Sequence, residues 1–122
     1  MVIEIRDGSE VPIYLQLRNQ IVSGISAGAL EPGEQLPTVR ALAAELGVNA
    51  MTVSKAYQLL KQEGFITSDR RSGARVREQG PQDGTLTPES REQLRVLAAE
   101  AKARGMSRKD FLAMCGAYFG EE

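Results

Sequence analysis

The chain has 122 residues, 42% hydrophobic and 25% charged, with 15 basic against 16 acidic side chains. That is room for one small domain plus an appendage, with an ordinary soluble composition and no global basic field. With no His and a single Cys, Cys115, the composition excludes imidazole catalysis, His-ligated metal sites and an internal disulfide. No apolar run reaches the roughly 18–20 residues of a spanning helix. The N-terminal stretch Met1–Asp7 lacks the basic-then-apolar order expected of a signal peptide. The lone thiol suits a reducing compartment, so a cytoplasmic protein is expected.

Residues 1–11 either pair as a strand or lie along the surface. Pro12 opens a helical pattern with Tyr14, Leu17, Ile21 and Ile25 on one face, and Gly28 ends it. The connector 30–37 carries two prolines and a turn. Thr38 caps a second helix whose Val39, Leu42, Ala43 and Leu46 follow i, i+3, i+4, i+7 spacing; Gly47 stops it. Asn49 is the N-cap of a third helix, where Val53, Ala56, Tyr57 and Leu60 repeat that stripe before Gly64. Residues 65–68 and 74–77 read as two strands around a turn at 69–73. Residues 78–86 form a polar linker. Thr87-Pro88 starts a fourth helix running to about Arg104, with Leu94 and Leu97 on its apolar side. After Gly105, Ser107 and Asp110 make a capping-box-like start to a fifth helix. The expected fold is mainly α with a small β-hairpin: a winged helix-turn-helix over 1–77, the linker 78–86, and a two-helix dimerisation tail over 87–122.

Two short helices with matched stripes around Gly47-Val48-Asn49 have the spacing of a helix-turn-helix. With both stripes inward, the start and outer face of the third helix stay free: Asn49, Ala50, Met51, Thr52, Ser54, Lys55, Gln58 and Lys61. That face has two lysines and no acid before Glu63. A helix entering the major groove needs such a face, with donors for base edges and cations for phosphates. The hairpin adds Arg70, Arg71, Arg75 and Arg77 within eight residues and no acid, a local patch that the overall balance hides. A glycine-tipped arginine loop can approach the backbone or the minor groove. No carboxylate pair at catalytic spacing and no phosphate-cradling Gly loop is present, so neither an enzyme nor a cofactor or metal site is expected.

Pro12–Arg77 resembles the winged helix-turn-helix domain of GntR-family bacterial transcription regulators. The resemblance spans about half of the chain and rests on Pro12–Leu17, Leu30–Arg40, Leu46–Asn49, Thr52–Tyr57 and Glu63–Ile66. The short two-helix tail is similar to that of the YtrA-like subfamily. The resemblance implies that Thr38 caps the second helix and touches the DNA backbone, and that Arg40 contacts phosphate or base. It places Asn49, Ala50, Thr52, Ser54 and Lys55 at the start of the recognition helix and Gly73 at the wing tip, beside Arg71 and Arg75. Ala50 stands where many relatives have Arg or Pro, so the wider family's operator sequence does not carry over.

The fifth helix brings Phe111, Leu112, Met114, Tyr118 and Phe119 within nine residues. Such a patch needs cover, and with Leu94 and Leu97 it is the expected homodimer interface. A two-fold dimer would place two recognition helices in successive major grooves of an inverted repeat. The expected function is that of a sequence-specific DNA-binding regulator, a dimeric repressor of transporter genes by the subfamily resemblance. Double-stranded DNA and a second copy are its partners; a small-molecule effector would lie at the dimer interface or between tail and DNA-binding domain. The alternative is a winged-helix protein-interaction module without specific DNA binding.

Overall fold

Short capped helices and one hairpin build the chain, seen in a computed structural model that describes residues 2–71, 73–78 and 84–120. The elements are α1 (Ile13–Ser26), α2 (Val39–Leu46), α3 (Ala50–Gln62), β1 (Ile66–Asp69), β2 (Gly73–Val76), α4 (Pro88–Ala103) and α5 (Arg108–Phe119). They divide into two compact units, Met1–Pro81 and Gln82–Glu122. Residue 72 of the expected turn and residues 79–83 of the expected linker lie outside the described residues.

Local chemistry sets the starts of α2 and α3 and the turn between them. Thr38 Oγ1 accepts the Ala41 N–H at 3.1 Å and starts α2, and Asn49 Oδ1 accepts the Met51 N–H at 2.7 Å and starts α3. Between them Gly47 adopts φ 69°, a left-handed conformation that a Cβ would strain. The core then forms from the inward stripes: Leu17 and Ile21 of α1, Leu42 and Ala43 of α2, and Val53, Ala56, Tyr57 and Leu60 of α3. Leu30, Leu36, Ile66 and Val76 close it. Burying a side chain of this size stabilises by about 1.5–3 kcal/mol, so these residues are the main anchor of the three-helix arrangement.

β1 and β2 pair antiparallel, with Ile66 opposite Val76 and Asp69 opposite Gly73. Both strands sit one residue off the spans expected from the sequence. The alternation there marks which residues face inward but not where pairing stops. The connector also does more than join helices. Gly33 N–H donates to the Val76 carbonyl, Val76 N–H to the Glu34 carbonyl and Leu36 N–H to the Ala74 carbonyl, each at 2.9 Å. Residues 33–36 thus pair along the second edge of β2, with a bridge between Gln35 and Arg75. The wing is fastened on both sides rather than standing as a marginal two-strand hairpin.

Residues 2–11 lie along α1, the second of the two expectations. Two glutamine side chains hold them. The Gln16 amide accepts from Arg6 N–H at 2.8 Å and donates to the Val11 carbonyl at 2.8 Å. One turn later the Gln20 amide accepts from Glu4 N–H at 2.8 Å and donates to the Glu4 carbonyl. Spaced i, i+4, the two amides offer the arm what a neighbouring strand would. Between these two glutamines in sequence, Arg18 pairs with both carboxylate oxygens of Glu63 at 2.9 and 3.0 Å, and its guanidinium lies 5.6 Å from the centre of the Phe65 ring. That fork ties α1 to the end of α3.

In the second unit Thr87 caps α4 through Ser90 N–H, and Ser107 caps α5 through Asp110 N–H. Neither helix buries a residue fully. Ala98, Ala101, Met106, Phe111, Met114 and Cys115 are half-buried. Leu94, Leu97, Leu112, Tyr118 and Phe119 are exposed, the last two at 83% and 79%.

Candidate nucleic-acid interface

Three contacts fix the helix-turn-helix. Val48 N–H donates to the Ala43 carbonyl at 3.0 Å, closing the turn after Gly47. The Asn49 cap sets the first turn of α3. The Tyr57 hydroxyl, on the buried face of α3, donates to the Pro37 carbonyl at 2.8 Å, immediately before the cap of α2. Burial pushes the Tyr57 phenol up to about 12, so it is a neutral donor at any physiological pH.

With that frame set, the outer surface of α3 follows from helical geometry. Met51, Ser54, Lys55 and Gln58 stand three and four residues apart, on one face. Asn49, Ala50, Met51, Lys55, Gln58 and Lys61 are exposed, and Thr52 and Ser54 are half-buried. The exposed Asn49 side chain uses its amide oxygen for the cap, and that bond does not engage its two N–H donors. Lys55 is not a free solvated chain: its ammonium lies 4.0 Å from the centre of the Tyr14 ring on α1. A cation at that distance over an aromatic face is held there electrostatically.

Thr38 and Arg40 are exposed at the start of α2, and the Thr38 hydroxyl oxygen accepts the cap hydrogen bond. The wing contributes unequal arginines. Arg70 and Arg71 are exposed in the turn, where Asp69 Oδ1 accepts the Arg71 N–H at 2.8 Å. Gly73 is exposed and has φ 68°, again a position that favours glycine. Arg75, by contrast, is half-buried and donates to the Gly33 carbonyl at 3.1 Å. One of its jobs is therefore to hold the connector, which alternation alone could not reveal.

All ten residues expected at the interface lie in the first unit: Thr38 and Arg40 at α2, Asn49 to Lys55 at α3, and Arg71, Gly73 and Arg75 in the wing. Sequence reasoning missed Tyr14 as the seat of Lys55 and Gln35 as a strand partner. The first had a signal, an aromatic on α1 next to its buried stripe. The second had none, because the bridge spans forty residues.

An arrangement of this kind presents a polar and cationic helix face with a basic wing beside it, and no carboxylate on that face before Glu63. It suits a duplex groove lined by phosphates. Comparison with known proteins agrees. Residues 12–76 match the model of the bacterial regulatory proteins of the gntR family. The chain is 36% identical over 107 residues to the HTH-type transcriptional repressor YtrA of Bacillus subtilis, covering 85% of this chain and 82% of that one. Its structure resembles YtrA from Sulfolobus acidocaldarius, described as a GntR-family transcription factor, with TM-score 0.62, 38% identity and coverage of 93% and 92%. It also resembles the DNA-binding domain of AraR in complex with operator ORX1, with TM-score 0.56 and 27% identity over 62% of this chain and 98% of that one. On the helix-turn-helix, the wing and these likenesses together, the chain belongs to the gntR family of bacterial regulatory proteins, in its YtrA-like branch.

Proposed function

We propose that this protein is a cytoplasmic, dimeric, sequence-specific repressor that occupies an inverted-repeat operator. The observation that carries the reading is the outer face of α3, where Asn49, Ala50, Met51, Lys55, Gln58 and Lys61 are exposed and no acid stands, in a unit that also exposes Arg40, Arg70 and Arg71. Asn49, Ala50, Thr52 and Ser54 meet base edges. Thr38, Arg40, Lys55, Arg71, Gly73 and Arg75 meet the backbone or minor groove. The AraR relative's complex with its operator and the repressor name of the Bacillus subtilis relative support DNA and repression respectively.

Residues 1–77 serve as the DNA-binding domain, 78–86 as linker and 87–122 as the dimerisation tail. Leu94, Leu97, Phe111, Leu112, Met114, Tyr118 and Phe119 meet a second copy. The exposure of Leu94, Leu97, Leu112, Tyr118 and Phe119 supports this, because an isolated chain gains nothing by presenting them to water. Half-sites then lie about 10 base pairs apart or a multiple of that.

The test is fluorescence anisotropy with duplex from upstream of the protein's own gene, against a scrambled duplex, at two salt concentrations. Preference for the native duplex by roughly a thousandfold, retained at higher salt, is the expected result. Absence of binding to either duplex would move the reading to a protein-interaction module. Sedimentation giving a monomer mass at every concentration would end the dimer.

A further inference from the structure

The first turn of α3 holds a side chain that a polar, phosphate-facing surface does not explain. Met51 is 78% exposed, directly after the Asn49 cap and Ala50. A single exposed methionine is ordinary on a protein surface. This one stands at the end of the recognition helix that enters the groove first. Its backbone is fixed, because its N–H is the group that Asn49 Oδ1 accepts at 2.7 Å. Its neighbour Ala50 is also exposed and also lacks a hydrogen-bonding side chain. These two exposed positions of the turn therefore offer the DNA a methyl and a thioether, which carry no donor for guanine and no acceptor for cytosine.

Only one group on a base edge in the major groove rewards apolar contact, the C5-methyl of thymine. Adenine, guanine and cytosine each present polar atoms there. Setting an apolar side chain on them strips their water and returns no hydrogen bond. Met has three rotatable bonds and a polarisable sulfur, so it can settle against a methyl from more than one approach. Helical spacing carries the pattern onward: Ser54, Lys55 and Gln58 continue the same face with polar and cationic groups. Next to the Asn49 amide the face thus carries one apolar pair, Ala50 and Met51, with polar and cationic groups behind it.

We infer that Met51 is a specificity-determining residue of the operator complex and that it contacts the methyl group of a thymine, with Ala50 keeping the space beside it clear. This rests on the DNA-binding reading above and adds to it the base that the tip of α3 selects.

The test removes one methyl group at a time. Duplexes bound by the full-length protein are selected from a random library, and each thymine of the resulting operator is replaced singly by uracil. Uracil keeps the pairing and loses only the methyl. One position in each half-site is expected to weaken binding by about fourfold, the worth of one buried methyl-sized group. In Met51→Ala the same replacement is expected to have no effect. Ala is the better helix former, so lost helix does not account for a weakened variant. Met51→Leu, which keeps an apolar chain, is expected to retain the thymine preference. The inference is overturned if no uracil replacement matters, or if the penalty is as large in Met51→Ala as in the parent. A selection yielding no preferred sequence would instead overturn the DNA-binding reading, which separates the two failures.

Discussion

The Tyr57 hydroxyl donates a 2.8 Å hydrogen bond to the Pro37 carbonyl, and so ties the buried face of the recognition helix to the residue before the cap of α2. That bond joins the two segments that carry the proposed DNA contacts: Thr38 and Arg40 lie within three residues of Pro37, and Asn49 to Lys55 precede Tyr57 at the start of its own helix. A phenol in the core thus ties the start of α2 to the recognition helix.

Removing that hydroxyl leaves the ring's packing in place. Tyr57→Phe is expected to cost about 1 kcal/mol in chemical denaturation, plus the penalty of leaving the Pro37 carbonyl without its partner. The same variant reports on alkaline stability. Burial raises the folded phenol to about 12 from its ordinary 10.0, so the folded state holds the proton more tightly than the unfolded chain. Stability from this source is fully present below pH 10 and falls as pH rises through 12. Denaturation midpoints of the parent are expected to fall over that window, and more steeply than those of Tyr57→Phe. Identical slopes would show that Tyr57 does not carry the dependence.

The second relationship is between α1 and α3. The Lys55 ammonium lies 4.0 Å from the centre of the Tyr14 ring, which steadies a cation on the outer face of the recognition helix. Tyr14→Phe keeps the ring and is expected to bind operator as the parent does. Tyr14→Leu is expected to weaken binding a fewfold, since an exposed or partly exposed cation–π contact is worth about 0.5–1 kcal/mol. Lys55→Met is expected to lower the slope of log affinity against log salt by about 1 as one phosphate contact disappears. In a double-mutant cycle the losses from Tyr14→Leu and Lys55→Met will not add if the ring acts through the lysine. Full additivity in anisotropy titrations would refute that coupling.

Much of this was legible in the sequence, and the reason is local. Thr38, Gly47 and Asn49 define helix ends by chemistry within three residues, and the Leu42 and Val53 stripes repeat at helical spacing. The family motifs at Pro12–Leu17 and Leu30–Arg40 likewise lie in short runs. What was hidden depends on distant partners. The pairing of residues 33–36 with β2 joins segments some forty residues apart, and the half-burial of Arg75 follows from it. An arginine in an alternating strand reads the same whether its guanidinium faces DNA or the Gly33 carbonyl. The Gln16 and Gln20 clip was equally silent, because a glutamine on a helix surface is ordinary until an arm lies against it.

That clip makes its own prediction. The amides of Gln16 and Gln20 hold residues 4 to 11 from the side of α1, and Ile3 packs against the core. Gln16→Ala and Gln20→Ala together keep α1 helical, because Ala is the stronger helix former. They are expected to expose the Glu4 and Arg6 amides to solvent. Hydrogen exchange at those two residues should accelerate by at least an order of magnitude while exchange in α3 stays as it was. Unchanged exchange at Glu4 and Arg6 would mean that burial of Ile3 alone fixes the arm.

The tail tests the dimer without disturbing the DNA-binding unit. Tyr118 and Phe119 are 83% and 79% exposed at the end of α5, so polar replacements there meet no packed neighbour in the isolated chain. Tyr118→Ser with Phe119→Asp is expected to leave helix content unchanged by circular dichroism. In sedimentation equilibrium it is expected to shift the protein toward monomer, because a charge in an apolar interface loses its water without a partner. Affinity for one half-site should remain that of the parent. Affinity for the full inverted repeat should fall on the order of a hundredfold, since the second half-site is then no longer bound at the high effective concentration that a dimer provides. A double variant that stays dimeric and binds the inverted repeat as tightly as the parent would place the interface elsewhere than the end of α5.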